Sequence, residues 1–222
     1  QNYVDVFVRI PMARHLLNSL VIALAAVFFN ILLATPAAYA MARIKFRGRS
    51  FFGMAVLVVQ MFSPVIVLIP LFKMMKVLHL LDTYTALILV NTAVTLPFSI
   101  WMLRGFFVNI PEELEDAALI DGLSRTGMVF RIALPLTAPG LATTAIFTFV
   151  SAWNEFIFAL VLVSKREMQP ITMALYAWEK NNVVEWNYLM ATAVVATVPT
   201  AVLFLLVRKR LTAGLMAGAV KA

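Results

Sequence analysis

Glu155 places a carboxylate inside a long apolar run, in the segment Trp153-Asn154-Glu155-Phe156. A charged group in a membrane-length apolar segment is costly, so it faces other helices or a water-filled cavity. Three chemistries are open to it: a hydrogen bond between helices, titration coupled to an ion, or contact with a polar solute. Gln60, Asn91 and Thr92 are weaker polar candidates for the same path, although such residues also tie helices together. Gly122-Leu123-Ser124-Arg125-Thr126-Gly127 has the glycine spacing of a phosphate-binding loop. Met128 and Val129 follow it, where Lys and Ser or Thr would have to hold phosphate and Mg²⁺. This chain is therefore expected to bind no nucleotide. His15 and His79 stand alone, without partners at metal-ligand spacing. The chain has no cysteine, which removes disulfides, thiolate ligands and a Cys nucleophile. No catalytic residue, cofactor site or metal site is expected, and the chain is not read as an enzyme.

The elements that must position these groups are apolar helices. The chain has 222 residues, 63% hydrophobic and 13% charged, with a mean hydropathy of +0.92. A soluble domain is nearer half apolar and a quarter charged, so this is an all-α polytopic membrane protein. A membrane-spanning helix needs about twenty mostly apolar residues. Five segments qualify: 16–42, 51–72, 84–108, 137–163 and 188–207. Prolines mark most of them, at Pro36, Pro64, Pro70, Pro97, Pro139 and Pro199. Neighbouring helices can satisfy the carbonyls that prolines free. Pro64 and Pro70, six residues apart in one span, are the best candidates for kinks that move.

The net charge of +7 sits in short clusters at span ends. Arg43, Lys45, Arg47 and Arg49 follow the first span, Arg104, Arg125 and Arg131 accompany the connection after the third, and Arg208, Lys209, Arg210 and Lys221 follow the fifth. A duplex binder needs a continuous basic face, so nucleic acid is not an expected partner. Basic residues collect on the cytoplasmic side of a membrane protein. The N-terminus is therefore placed outside, and the connection after the third span and the C-terminus inside. The connections at 73–83 and 164–187 then lie outside.

The connection at 109–136 is polar and structured. Pro111-Glu112-Glu113 reads as a helix start, with acids at the positive end of the helix dipole. Leu114, Ala117, Ala118 and Asp121 share one helical face, part of it made flat by the alanines. Asp121-Gly122 ends that helix. Ser124 or Thr126 caps a second one, carrying Met128, Val129 and Ile132 and stopping before Pro135. Five acids between Glu112 and Asp121 would repel phosphate, which speaks against a DNA-reading helix pair. The remaining readings are an ordinary cytoplasmic loop or a docking surface for a soluble partner.

The order Asp116-Ala117-Ala118, three residues, Gly122, nine residues, Ile132-Ala133-Leu134-Pro135 resembles the EAA loop of ABC-importer permeases. That family's pattern runs Glu-Ala-Ala, three residues, Gly, nine residues, Ile-x-Leu-Pro. Asp116 stands where the pattern has Glu, and Glu115 is adjacent, so either carboxylate could serve. The stretch around Trp153-Asn154-Glu155 resembles one in maltose-type sugar permeases. The tail at 208–222 resembles the Gly-Leu-Thr-x-Gly-Ala-Val-Lys ending of the same proteins, with an altered middle.

The resemblance covers nearly the whole chain. It implies a type I ABC importer permease fold in a single domain, 1–222, with five transmembrane helices here and the family's first span missing. It implies transport of a sugar or oligosaccharide across a bacterial-type cytoplasmic membrane by alternating access. Its partners would be two ATPase subunits carrying ATP and Mg²⁺, a second and often non-identical permease, an extracytoplasmic solute-binding protein and the lipid bilayer. Glu115, Asp116, Ala117, Ala118, Gly122, Ile132, Leu134 and Pro135 would form the ATPase-coupling surface. Trp153, Asn154, Glu155, Gln60 and Asn91 would be candidates for the solute path. A different class stays open, an ion-coupled secondary transporter or channel titrating Glu155.

Overall fold

The computed structural model describes residues 2–180 and 183–219. A short helix α1 (Asn2–Arg9) precedes the long α2 (Met12–Arg43), then α3 (Arg49–Val59), α4 (Pro64–Val77) and α5 (Tyr84–Val108). The polar connection holds α6 (Glu112–Ile120), α7 (Arg125–Met128), a π turn (Val129–Ala133) and α8 (Leu134–Leu136). There follow α9 (Ala138–Trp153), α10 (Ile157–Leu162), a 3-10 turn (Arg166–Met168), α11 (Ile171–Tyr176), a two-residue antiparallel pair β1 (Glu179–Lys180) and β2 (Val183–Val184), and α12 (Trp186–Ala219). Of the tail at 208–222, residues 220–222 lie outside the described residues.

Among the described residues, α2, α5 and the first twenty residues of α12 are long and apolar enough to cross a membrane. Two bent pairs bring the crossings to five if each pair is one span. One is α3 with α4, bent by 98°, and the other is 126–136 with α9, bent by 75°. The sequence predicts unbroken helices at 51–72 and 137–163, and both are broken. In the first, Pro64 has no N–H to continue α3 and forces the preceding residue out of helical geometry. Ser63 accordingly sits extended at ψ 133°, and Pro64 opens α4 instead of kinking a continuous span. In the second, α9 stops at Trp153 and the chain turns at 154–156 before α10.

The connections differ as well. Residues 73–77 belong to α4, so the link to α5 is short. The 164–187 connection carries α11 and the β pair, and it is fastened to the first turns of α2. Asn18 Nδ2 donates to the carbonyls of Glu167 and Gln169, each at 2.9 Å, and its Oδ1 accepts from the Tyr84 hydroxyl at 2.8 Å. Ser19 Oγ accepts from the backbone N–H of Ile171 at 2.7 Å.

The helix α2 is the spine: it packs along α5 and then α9. Three buried clusters follow its length. One gathers Met12, Ala23, Phe149, Trp153 and Trp178. A second joins Ile22 to Leu87, Val90, Phe158 and Leu162. The third, at the α2 C-terminal end, joins Ala38 and Met41 to Leu103, Phe107, Ala118 and Met128. Small residues let α2 and α5 approach closely, and polar side chains bond at the contact. Asn30 is fully buried and its amide donates to Thr95 Oγ1 at 2.8 Å. Thr95 and Ser99 then donate back to the carbonyls of Asn91 and Thr95.

Thr95→Val is expected to destabilise the chain by about 1–3 kcal/mol, because it strands the buried Asn30 amide. The double change Asn30→Leu with Thr95→Val should cost less than Thr95→Val alone. Thermal unfolding of the purified variants in one detergent checks the order.

Candidate functional site

The polar connection is held from inside by an ion pair. Glu115 is buried, and its Oε1 accepts from Arg43 Nε at 2.7 Å. The Tyr39 hydroxyl donates to its other oxygen at 3.2 Å. Arg43 also donates to the carbonyl of Ile110 and lies 3.6 Å from Glu112. Arg43 and Tyr39 belong to the last turns of α2, so this cluster ties α6 to the C-terminal end of the spine helix. Arg43 counts in the sequence only towards charge bias. Its place in the last turn of α2, opposite the acids of α6, is set by the fold and has no local signal in the sequence.

The ion pair corrects the expected face of α6. Glu115 and Ala118 turn inwards, while Leu114, Asp116, Ala117 and Asp121 are exposed. The two alanines are therefore split, Ala118 packing against the α2–α5 cluster and Ala117 facing out. Ile120 is 86% exposed and Phe130 70% exposed. Glu115 and Asp116 are adjacent in sequence but not equivalent: Arg43 and Tyr39 occupy the first, and the second points outward.

Past Ile120 the chain turns as a helix-ending motif requires. Gly122 takes φ +85°, a conformation that costs other residues about 1–2 kcal/mol. Leu123 N–H donates to the Ala118 carbonyl at 3.0 Å and Gly122 N–H to that of Leu119 at 3.1 Å. Of the two expected caps it is Ser124 that acts, its Oγ accepting from the Gly127 N–H at 3.1 Å. The helix does not stop before Pro135 as expected. It continues to Leu136 through the π turn, whose wider ring lets Pro135 follow without its ring meeting the carbonyl four residues back. Ile132 and Leu134 are half-buried and Pro135 exposed.

At the second site, Glu155 lies in the turn between α9 and α10 rather than deep within a helix. Its Oε1 accepts from the Phe158 N–H at 2.6 Å and its Oε2 from the Ala159 N–H at 3.1 Å. Its carbonyl accepts from Thr172 Oγ1 at 2.7 Å. Broken backbone at membrane depth needs such partners, and Glu155 supplies them as the cap of α10. Trp153 is buried, stacks on Phe149 with ring centroids 5.5 Å apart, and donates through Nε1 to the Ala196 carbonyl of α12 at 3.1 Å. Asn154 is exposed and bonds back to Val150 at 3.0 Å. Asn91 is buried and donates to Leu87 in its own helix at 2.8 Å, while Thr92 is also buried. Gln60 is exposed at the end of α3. The candidate path residues do not converge on one cavity: Asn154 and Gln60 face outward, and Trp153 and Asn91 face the packing.

Residues 31–216 match the family described as binding-protein-dependent transport system inner membrane component. The chain is 38% identical over 220 residues to the sulfoquinovosyl glycerol transport system permease protein SmoH of Agrobacterium fabrum, covering 99% of this chain and 77% of that one. It is 36% identical over 225 residues to the trehalose/maltose transport system permease protein MalG of Thermococcus litoralis, covering 100% and 81%. Its fold is similar to a chain in the crystal structure of a bacterial ABC transporter involved in the import of the acidic polysaccharide alginate. The TM-score is 0.81 at 26% identity, over 94% of this chain and 78% of that one.

Removing one partner of a buried ion pair costs about 3–5 kcal/mol, whereas an exposed pair contributes under about 1 kcal/mol. Glu115→Ala should therefore lower the unfolding temperature strongly. Glu112→Ala should barely move it, since that side chain is 82% exposed. Equal effects in thermal unfolding would contradict the assignment of Glu115 as the anchor.

Proposed function

We infer the function of this chain from its family: it belongs to the binding-protein-dependent transport system inner membrane components, the permease subunits of ABC importers. It is a component of the inner membrane. The solute proposed is a sugar or oligosaccharide, on the support of relatives named for sulfoquinovosyl glycerol and for trehalose/maltose. The proposed mechanism is alternating access driven by ATP. An external binding protein, implied by the family's description, delivers solute to the outer ends of the spans. Two ATPase subunits hold ATP and Mg²⁺ and close on each other. A second permease completes the pore. The 109–136 connection and the C-terminus face the cytoplasm in this reading, and the N-terminal end faces outward.

One observation supports the coupling role above the others. The helix α6 is anchored on its inner side by Glu115 and Ala118, yet exposes Leu114, Asp116, Ala117 and Ile120 on its outer side. Large exposed apolar patches rimmed by polar residues mark interaction sites, and Leu114, Leu119 and Ile120 supply exposed apolar surface among the acids of α6. Anchored to α2 by an ion pair and closed by the Gly122 turn, the surface can pass a push to the spans instead of deforming. Asp116 is the acid placed to meet a basic group of the ATPase. Both Glu155 oxygens are bonded to backbone N–H groups, which favours a helix cap over the titrating group of an ion-coupled carrier.

Reversing a charge at an interface costs several kcal/mol. Asp116→Arg should leave the permease folded and inserted but remove the ATPase from the co-purified complex and abolish solute uptake. Uptake of a panel of labelled sugars into cells, together with the ATPase content of the purified complex, checks both. Full retention of the ATPase by Asp116→Arg would overturn the docking assignment.

A further inference from the structure

Two arginines outside the coupling surface share one cleft. It has a volume of about 410 Å³ and is lined by Arg49 and Ser50 at the start of α3, Gly53 and Leu57 one and two turns on, and Trp101 and Arg104 of α5. Both arginines are half-buried. Arg49 donates to the Ala42 carbonyl at 3.2 Å, and Arg104 Nε donates to that of Met41 at 3.4 Å. Among the described residues, no carboxylate lies within ion-pair distance of either. The two carbonyls are the negative end of α2, equivalent to roughly half a charge. They offset only part of two guanidinium charges, and most of the fork donors on each side chain stay unused. Two partly desolvated cations in one cleft call for an anion.

The walls of the cleft say which kind. Arg49, Arg104 and Ser50 form its polar end, and the loop leading into α3 exposes Lys45 and Arg47. Leu57, 46% exposed, and Trp101, 50% exposed, form its apolar wall further along the spans. A half-exposed tryptophan between a basic band and an apolar band marks the membrane–water interface. A free phosphate would use the arginines and leave the apolar wall unmatched. A phospholipid uses both, its phosphodiester on the guanidinium forks and its acyl chains along Leu57 and Trp101.

We propose that the Arg49–Arg104 cleft is a binding site for the headgroup of an anionic phospholipid. The lipid bridges α3 to α5 beside the α2 end that carries Arg43. The inference needs only a membrane-embedded chain, so it stands apart from the identity of the transported solute and from ATPase docking.

The test uses the assembled transporter in nanodiscs of phosphatidylcholine with or without phosphatidylglycerol. Native mass spectrometry reads the lipid retained after delipidation. Wild type should retain phosphatidylglycerol in preference to phosphatidylcholine. Each arginine near the headgroup contributes a factor of roughly five in affinity, so Arg49→Gln with Arg104→Gln should abolish the preference. Arg166→Ala, in the exposed connection at the other end of the bundle, should leave it intact. If the double Gln variant does not assemble, Arg49→Lys with Arg104→Lys carries the test: charge without the fork should weaken retention and not abolish it. Equal retention of both lipids by wild type overturns the proposal, as does full retention by either double variant. Displacement of the bound lipid by millimolar inorganic phosphate also overturns it, by identifying the site as one for free phosphate.

Discussion

The Arg43–Glu115 ion pair is the constraint on which the rest of the assembly of parts depends. The helix α6 is nine residues long, too short to be stable in water on its own. It borrows its position from α2 through a bond of 2.7 Å between two side chains that are each 11% exposed. Tyr39 and the Ile110 carbonyl complete the hydrogen bonding that a buried pair requires. Because α2 is also the spine against which α5 and α9 pack, the pair fastens α6 to the element that the rest of the bundle shares.

The same reasoning explains the broken spans. A membrane interior gives no water to satisfy backbone groups, so every interruption needs a substitute. At Ser63–Pro64 the proline removes the need for one donor. At 154–156 Glu155 takes two N–H groups and Thr172 takes a carbonyl. At Val129–Ala133 a π turn absorbs Pro135. Each interruption is therefore accommodated where it occurs, and the two sharp bends lie between α3 and α4 and between 126–136 and α9.

Much of this was legible in the sequence. Apolar runs of about twenty residues give the three long helices α2, α5 and α12, because the bilayer sets the length. The acids after Pro111, the Asp121-Gly122 stop and a cap at Ser124 or Thr126 give the starts of the two short helices, because these signals act within a few residues. The breaks were not legible, because polar residues at 60–63 and 154–156 also occur inside unbroken membrane helices, as Asn30 and Asn91 do here, and only local hydrogen bonding ends the helix. The direction of α6 was not legible either. Ala117 and Ala118 look equivalent, and only a partner 72 residues earlier in the chain, Arg43, decides that Glu115 and Ala118 face inward. Long-range pairing of this kind leaves no periodicity to read.

The absence of cysteine makes the most direct measurement simple. Single cysteines at Ile120 and Ala118 are labelled with a water-soluble maleimide in inside-out vesicles, with and without the co-expressed ATPase. An anchored α6 that offers its outer face to the ATPase predicts fast labelling at Ile120, suppressed when the ATPase is present, and slow labelling at Ala118 in both cases. Labelling at Ile120 that is indifferent to the ATPase, or labelling at Ala118 as fast as at Ile120, would contradict it.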